Sequence, residues 1–111
     1  MTIHVTARHF KAHESLIDYV ERSVEELGGV YDGIVRADII LSFEKARNSV
    51  KICEIGLKVH GTTITSKGRT EDFFKSIDEA IGKGLIQLKR YKDKLHKKNR
   101  LVAQKIRVKE E

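Results

Sequence analysis

Thr2-Ile3-His4-Val5-Thr6-Ala7-Arg8 alternates without a break, Ile3, Val5 and Ala7 on one side and His4, Thr6 and Arg8 on the other. Such a period of two predicts a half-buried strand. From Glu14 the period changes. Leu16, Ile17, Val20, Val24 and Leu27 recur at three- and four-residue steps, which predicts one buried helix face, with Gly28-Gly29 ending the helix. Val35 to Phe43 returns to period two, with Val35, Ala37, Ile39, Leu41 and Phe43 inward. A strand, a helix and a second strand of this kind imply a right-handed crossover that pairs the two strands in parallel. That unit decides the fold.

Outward from it, Val50 to Val59 predicts a third strand. Cys53, Ile55, Leu57 and Val59 share one phase, while Val50 and Ile52 sit in the other. The phase change calls for a bulge, or for an edge where both faces are partly covered. His60-Gly61-Thr62 reads as a tight turn, and Thr63 to Lys67 as a short fourth strand. Thr70 is a candidate N-cap for the last helix, with Glu71 and Asp72 in its first turn. Ile77, Ile81, Leu85, Leu88, Tyr91 and Leu95 then form one apolar stripe, and no proline interrupts it. Gly82 and Gly84 weaken that helix by roughly 1 kcal/mol each relative to alanine. Either something approaches closely there or the helix is locally loose.

The expected fold is therefore α+β, in the order β-α-β-β-β-α. It has one four-stranded mixed sheet and both helices on one face. At 111 residues the chain suits a single domain, expected over residues 1–98, with a frayed tail over 99–111. A lone cysteine, the absence of a long apolar run and an N-terminus that opens straight into a strand pattern lead us to expect a cytoplasmic protein.

Charge is divided unevenly. Residues 1–82 carry 11 Lys/Arg against 13 Asp/Glu, whereas residues 83–111 carry 11 against 3. The whole excess lies in the last quarter, which points to a polyanionic partner. Winding at about 100° per residue puts Lys83, Gln87, Arg90, Lys94 and Lys97 on one line opposite the apolar stripe. Lys89, Lys92 and Lys98 flank the line, and Asp93 is the only acid among them. Like charges at these spacings repel, and a phosphate backbone would relieve them. An anionic membrane fits less well, because the sheet needs the apolar stripe for its own core.

Other chemistry finds little support. Among the five histidines, His4, His9, His13, His60 and His96, the single His-x-x-x-His spacing, His9 to His13, straddles a loop-to-helix junction, and there is no Cys-x-x-Cys, so no metal set is expected. No glycine-rich phosphate loop or Gly-x-Ser-x-Gly elbow is present, and Gly82-Lys83-Gly84 lies inside a helix. The chain is not expected to be an enzyme.

Several stretches resemble the ribosome hibernation promoting factor and ribosome-associated translation inhibitor family, also known as sigma-54 modulation proteins. Leu16, Tyr19-Val20 and Leu27 match its first helix. Glu71-Asp72-Phe73-Phe74-Lys75-Ser76-Ile77-Asp78 is similar to its Asp-Met-Tyr-x-[Ala/Ser]-Ile-Asp signature, and Lys83, Gln87-Leu88 and Lys92-Asp93-Lys94-Leu95 continue the match. The resemblance spans residues 1–97 and fits a short form. It implies a stress factor of bacterial or organellar type. Such a factor lodges in the messenger and transfer RNA channel of the small ribosomal subunit, blocks translation sterically and needs no cofactor. It also implies a fold related to double-stranded RNA-binding domains and RNA contacts from Lys83, Arg90, Lys92 and Lys94. Where the family has Arg before Gln-Leu the chain has Ile86, and where it has Leu after Lys83 the chain has Gly84. Arg22 is the only cation of the first helix, so the surface rests chiefly on Lys83, Gln87, Lys89, Arg90, Lys92, Lys94 and Lys97. The expected partner is the small subunit with its ribosomal RNA, bound by a monomer. A general double-stranded RNA-binding module, or a protein-interaction modulator of a transcription factor, is the alternative.

Overall fold

In a computed structural model the order is β1 (Thr2–Ala7), α1 (Glu14–Val30), β2 (Arg36–Glu44), β3 (Arg47–Val59), β4 (Thr62–Thr70) and α2 (Phe73–Glu110). The structure describes residues 1–44 and 47–110, with side chains for 1–44 and 50–96. The sheet runs β1-β2-β3-β4, with β1 parallel to β2 and the two hairpins antiparallel, as the crossover argument requires. Leu16, Val20, Val24 and Leu27 of α1 and Phe73, Ile77, Ala80 and Leu88 of α2 close one core. They pack over Ala37, Ile39 and Leu41 of β2, Cys53, Ile55, Leu57 and Val59 of β3, and Ile64 of β4.

Element ends are where local pattern and structure part. α1 continues through Gly28-Gly29, because Val30 packs on the core and the Tyr31 N–H caps Leu27 O at 3.1 Å. Lys92 Nζ then donates to Val30 O at 3.1 Å, covering a carbonyl that the helix leaves open. Its N-cap is His13, whose ring nitrogen accepts from Ser15 N at 3.1 Å. Val35 was expected inward yet is 61% exposed; Ile34, just before β2, fills the core instead. The hairpin strands are longer than expected. The register shifts where Phe43 pairs with Lys51 and Glu44 with Arg47, so the extra residues fall in β3 beside the phase change at Val50, while Lys51 to Val59 pair with β4 in unbroken register. Ile52 is half-buried on the open face, so both faces of β3 are partly covered.

Thr70 is not the α2 cap. Its backbone belongs to β4, paired with Lys51, and the cap moves on to Asp72, whose carboxylate accepts from Phe74 N at 3.0 Å. α2 extends from Phe73 to Glu110, past the boundary expected near Lys98; the expected fraying of 99–111 falls on residues whose side chains lie outside those described.

What brings α2 onto the sheet is a close approach at Gly68. A Cβ there would stand 1.9 Å from the Ser76 carbonyl oxygen and 2.9 Å from the Ala80 nitrogen. Gly84 has the milder version, its Cβ position 3.2 Å from Ser66 Oγ, whereas Gly82 meets nothing within 4 Å. Fully buried Ser76 locks the contact, donating to Lys51 O at 2.7 Å and accepting from Thr70 N at 3.0 Å. Ser76→Ala is expected to cost about 1–3 kcal/mol, because it orphans both backbone groups at once; a urea denaturation midpoint unchanged from the parent would refute this. Cys53 is buried between β2 and β4, and burial together with Glu54 pushes its thiol up to about 12.

Candidate nucleic-acid interface

The cationic line expected on the last helix is real as a helical face, but the fold divides it. α2 crosses β4 antiparallel. Glu79 meets Arg69, Lys83 meets Lys67, Gln87 meets Thr65, and Tyr91 reaches the β3–β4 turn, its hydroxyl donating to His60 O at 2.7 Å. The sheet ends at that turn. Residues up to Gln87 therefore lie along the sheet edge, and those after Tyr91 run past it.

Lys83, still 55% exposed at its side chain, and half-buried Gln87 both hold backbone groups of β4. Lys83 Nζ donates to Lys67 O at 3.0 Å and pairs with Glu79 at 3.2 Å. Gln87 Nε2 donates to Thr65 O at 2.7 Å. Lys92 is half-buried, with its ammonium on α1. By contrast Lys89, Arg90 and Lys94 are exposed and make no ion pair among the described residues. Arg22 is exposed on α1 and joins no ion pair with them. Lys97 and Lys98 lie outside the residues whose side chains are described. Ile86 is 55% exposed, so packing places no demand on it.

Sequence reading missed Glu79, which joins Lys83 and Gln87 at four-residue spacing; the Glu-x-x-x-Lys-x-x-x-Gln step was the available signal. It also missed an aromatic pair between the helices, exposed at Phe74 and half-buried at Tyr19. Phe74, 41% exposed, meets Tyr19 edge to face at 5.1 Å, and the Tyr19 hydroxyl donates to Asp78. That hydrogen bond, with some burial, raises the phenol above its ordinary value.

On the open sheet face a cavity of about 600 Å³ is lined by Asp38, Ile40, Glu54, Thr65, Lys67 and Lys83, among others. No group of three or more His, Cys, Asp or Glu suited to a metal occurs among the described residues. Nor, among them, is any helix long and apolar enough to cross a membrane.

Residues 3–96 match the family described as sigma 54 modulation protein / S30EA ribosomal protein. Over 95 residues the chain is 28% identical to a ribosome hibernation promoting factor of Klebsiella oxytoca and 27% to that of Escherichia coli K12. Each alignment covers 86% of this chain and 97% of the relative. A ribosomal subunit interface protein from Coxiella burnetii superimposes with a TM-score of 0.76 at 26% identity, over 84% of this chain and 99% of the other. The N-terminal domain of Thermus thermophilus Protein Y gives 0.72 at 25% identity, over 82% and 99%.

Proposed function

This chain belongs to the sigma 54 modulation protein / S30EA ribosomal protein family, and on that premise we propose that it is a ribosome-associated translation inhibitor acting by occupancy. In this reading a monomer in the cytoplasm binds ribosomal RNA of the small subunit in the messenger and transfer RNA channel. It shuts out both ligands without covalent chemistry. The observation that carries the RNA contact is the exposed set Lys89, Arg90 and Lys94, without an ion pair among the described residues, just where α2 leaves the sheet. Lys89 and Arg90 lie on the turn of α2 that ends at Tyr91, and Lys94 lies beyond it. The names of the relatives support the ribosome as partner.

Binding carried by phosphate contacts releases counterions, so log affinity falls linearly with log salt, by about 0.9 per neutralised phosphate on duplex. Three exposed cations predict a slope of about −3 when the protein is co-sedimented with purified small subunits over a salt series. A flat salt response would sink the phosphate reading. Tight binding to plain duplex RNA with no preference for ribosomes would instead mark a general double-stranded RNA-binding module. Salt-insensitive capture of a transcription factor would mark a protein-interaction role.

A further inference from the structure

The side chains that touch β4 repeat at a fixed interval. Glu79, Lys83 and Gln87 are spaced by four on α2, and they meet Arg69, Lys67 and Thr65, spaced by two on β4. Four helical residues rise about 6 Å, and two strand residues about 6.6 Å, so the two series stay in step. In an antiparallel pair alternate residues direct both backbone groups to the partner, and the others direct them away. β4 is an edge strand, and Thr65, Lys67 and Arg69 are its outward-facing residues. Glu79 Oε1 accepts from Arg69 N at 3.4 Å, while Lys83 and Gln87 donate to the carbonyls of Lys67 and Thr65 at 3.0 and 2.7 Å. Three side chains of a helix thus stand in for a fifth strand.

The geometry points to Glu79, Lys83 and Gln87 as an edge clasp that positions α2 on β4, with the RNA-facing surface of that helix beginning only at Lys89. Part of this assignment, the place where the RNA surface starts, rests on the function proposed above; the clasp itself does not. Two features favour the clasp over a phosphate contact for Lys83. Its ammonium already has a carbonyl and a carboxylate as partners, so a phosphate would have to displace both. Gln87 brings no charge to a phosphate, yet its amide makes the shortest hydrogen bond of the three contacts.

The clasp also explains a choice that charge alone leaves arbitrary. An uncovered strand edge invites pairing with another chain, and native proteins cover or charge such edges. Here Gln87 and Lys83 cover the outward carbonyls of Thr65 and Lys67, and Glu79 covers the outward N–H of Arg69.

The test is a pair of variants read in two ways. Glu79→Met, Lys83→Met and Gln87→Met together keep the aliphatic stems and remove the polar heads, the acceptor of the Arg69 N–H included. This triple variant is expected to speed hydrogen exchange of the β4 amides about tenfold, Arg69 included, and to leave the salt slope of small-subunit binding unchanged. Lys89→Met is expected to do the reverse, lowering the slope by about one with β4 exchange unaltered. Lys83→Arg, which still reaches Lys67 O, is expected to keep both at parent values. A slope lowered by about one in Lys83→Met alone would put that ammonium on a phosphate and overturn the assignment, as would unaltered β4 exchange in the triple variant. If the parent protein does not bind small subunits at all, the function proposed above fails, and the exchange measurement still decides the clasp.

Discussion

Arg90→Glu combined with Lys94→Glu is expected to abolish co-sedimentation with small ribosomal subunits while leaving the circular dichroism and thermal midpoint near those of the parent. Both side chains are exposed and lie on α2 beyond the β4 contacts, so neither supports the core. Glutamate is as good a helix former as the residues it replaces. A hydrogen bond to a charged group contributes about 1.5–3 kcal/mol, so two lost contacts, before any repulsion, weaken binding by a hundredfold or more. The salt slope should fall by about two. Full retention of co-sedimentation would mean that the ribosome is held by some other surface, such as exposed Phe74 with half-buried Tyr19 between the helices.

The second large effect is one of stability. Gly68→Ala is expected to cost about 3 kcal/mol or more, at the upper end for overpacking, because the obstacle is helix backbone, which cannot rotate aside. The atoms in the way are the Ser76 carbonyl and the Ala80 nitrogen, and moving them would break the Ser76 bonds to Lys51 and Thr70 as well. For a domain of this size that loss corresponds to a fall of more than about 10 °C in thermal midpoint. Gly82→Ala is the control. Nothing lies within 4 Å of its Cβ position, so the gain in helix propensity of about 1 kcal/mol should appear as a modest rise in midpoint. Equal effects from the two substitutions would contradict the docking geometry.

These two glycines show how far the sequence could be read. Periodicity alone supplied the element order, the parallel pairing of β1 with β2 and the apolar faces, since those depend on residues close in the chain. Gly82 and Gly84 are equally conspicuous inside a helical pattern, but only the docked helix tells them apart. Gly68 gave no sign at all, for its meaning comes from a helix a few residues later folding back over it. The same holds for the cationic line. Helical winding places Lys83, Gln87, Arg90 and Lys94 together, and it knows nothing of where the sheet ends. The end is set by Tyr91 meeting His60 across 31 positions of sequence, and it divides one line into a clasp and an exposed run. Thr70 failed as a cap for a related reason: the strand register claimed its backbone first.

The buried thiol of Cys53 has a practical and a biological reading. At neutral pH a group held near 12 is almost never a thiolate, and the sheet and helices shield the sulfur on every side. Thiolate is the reactive form toward oxidants and toward other cysteines. Oxidative stress therefore has no handle on this residue while the domain stays folded, and molecules stored for long periods cannot cross-link through it. The chain's only sulfhydryl is thus a silent core atom, whose modification records nothing but unfolding.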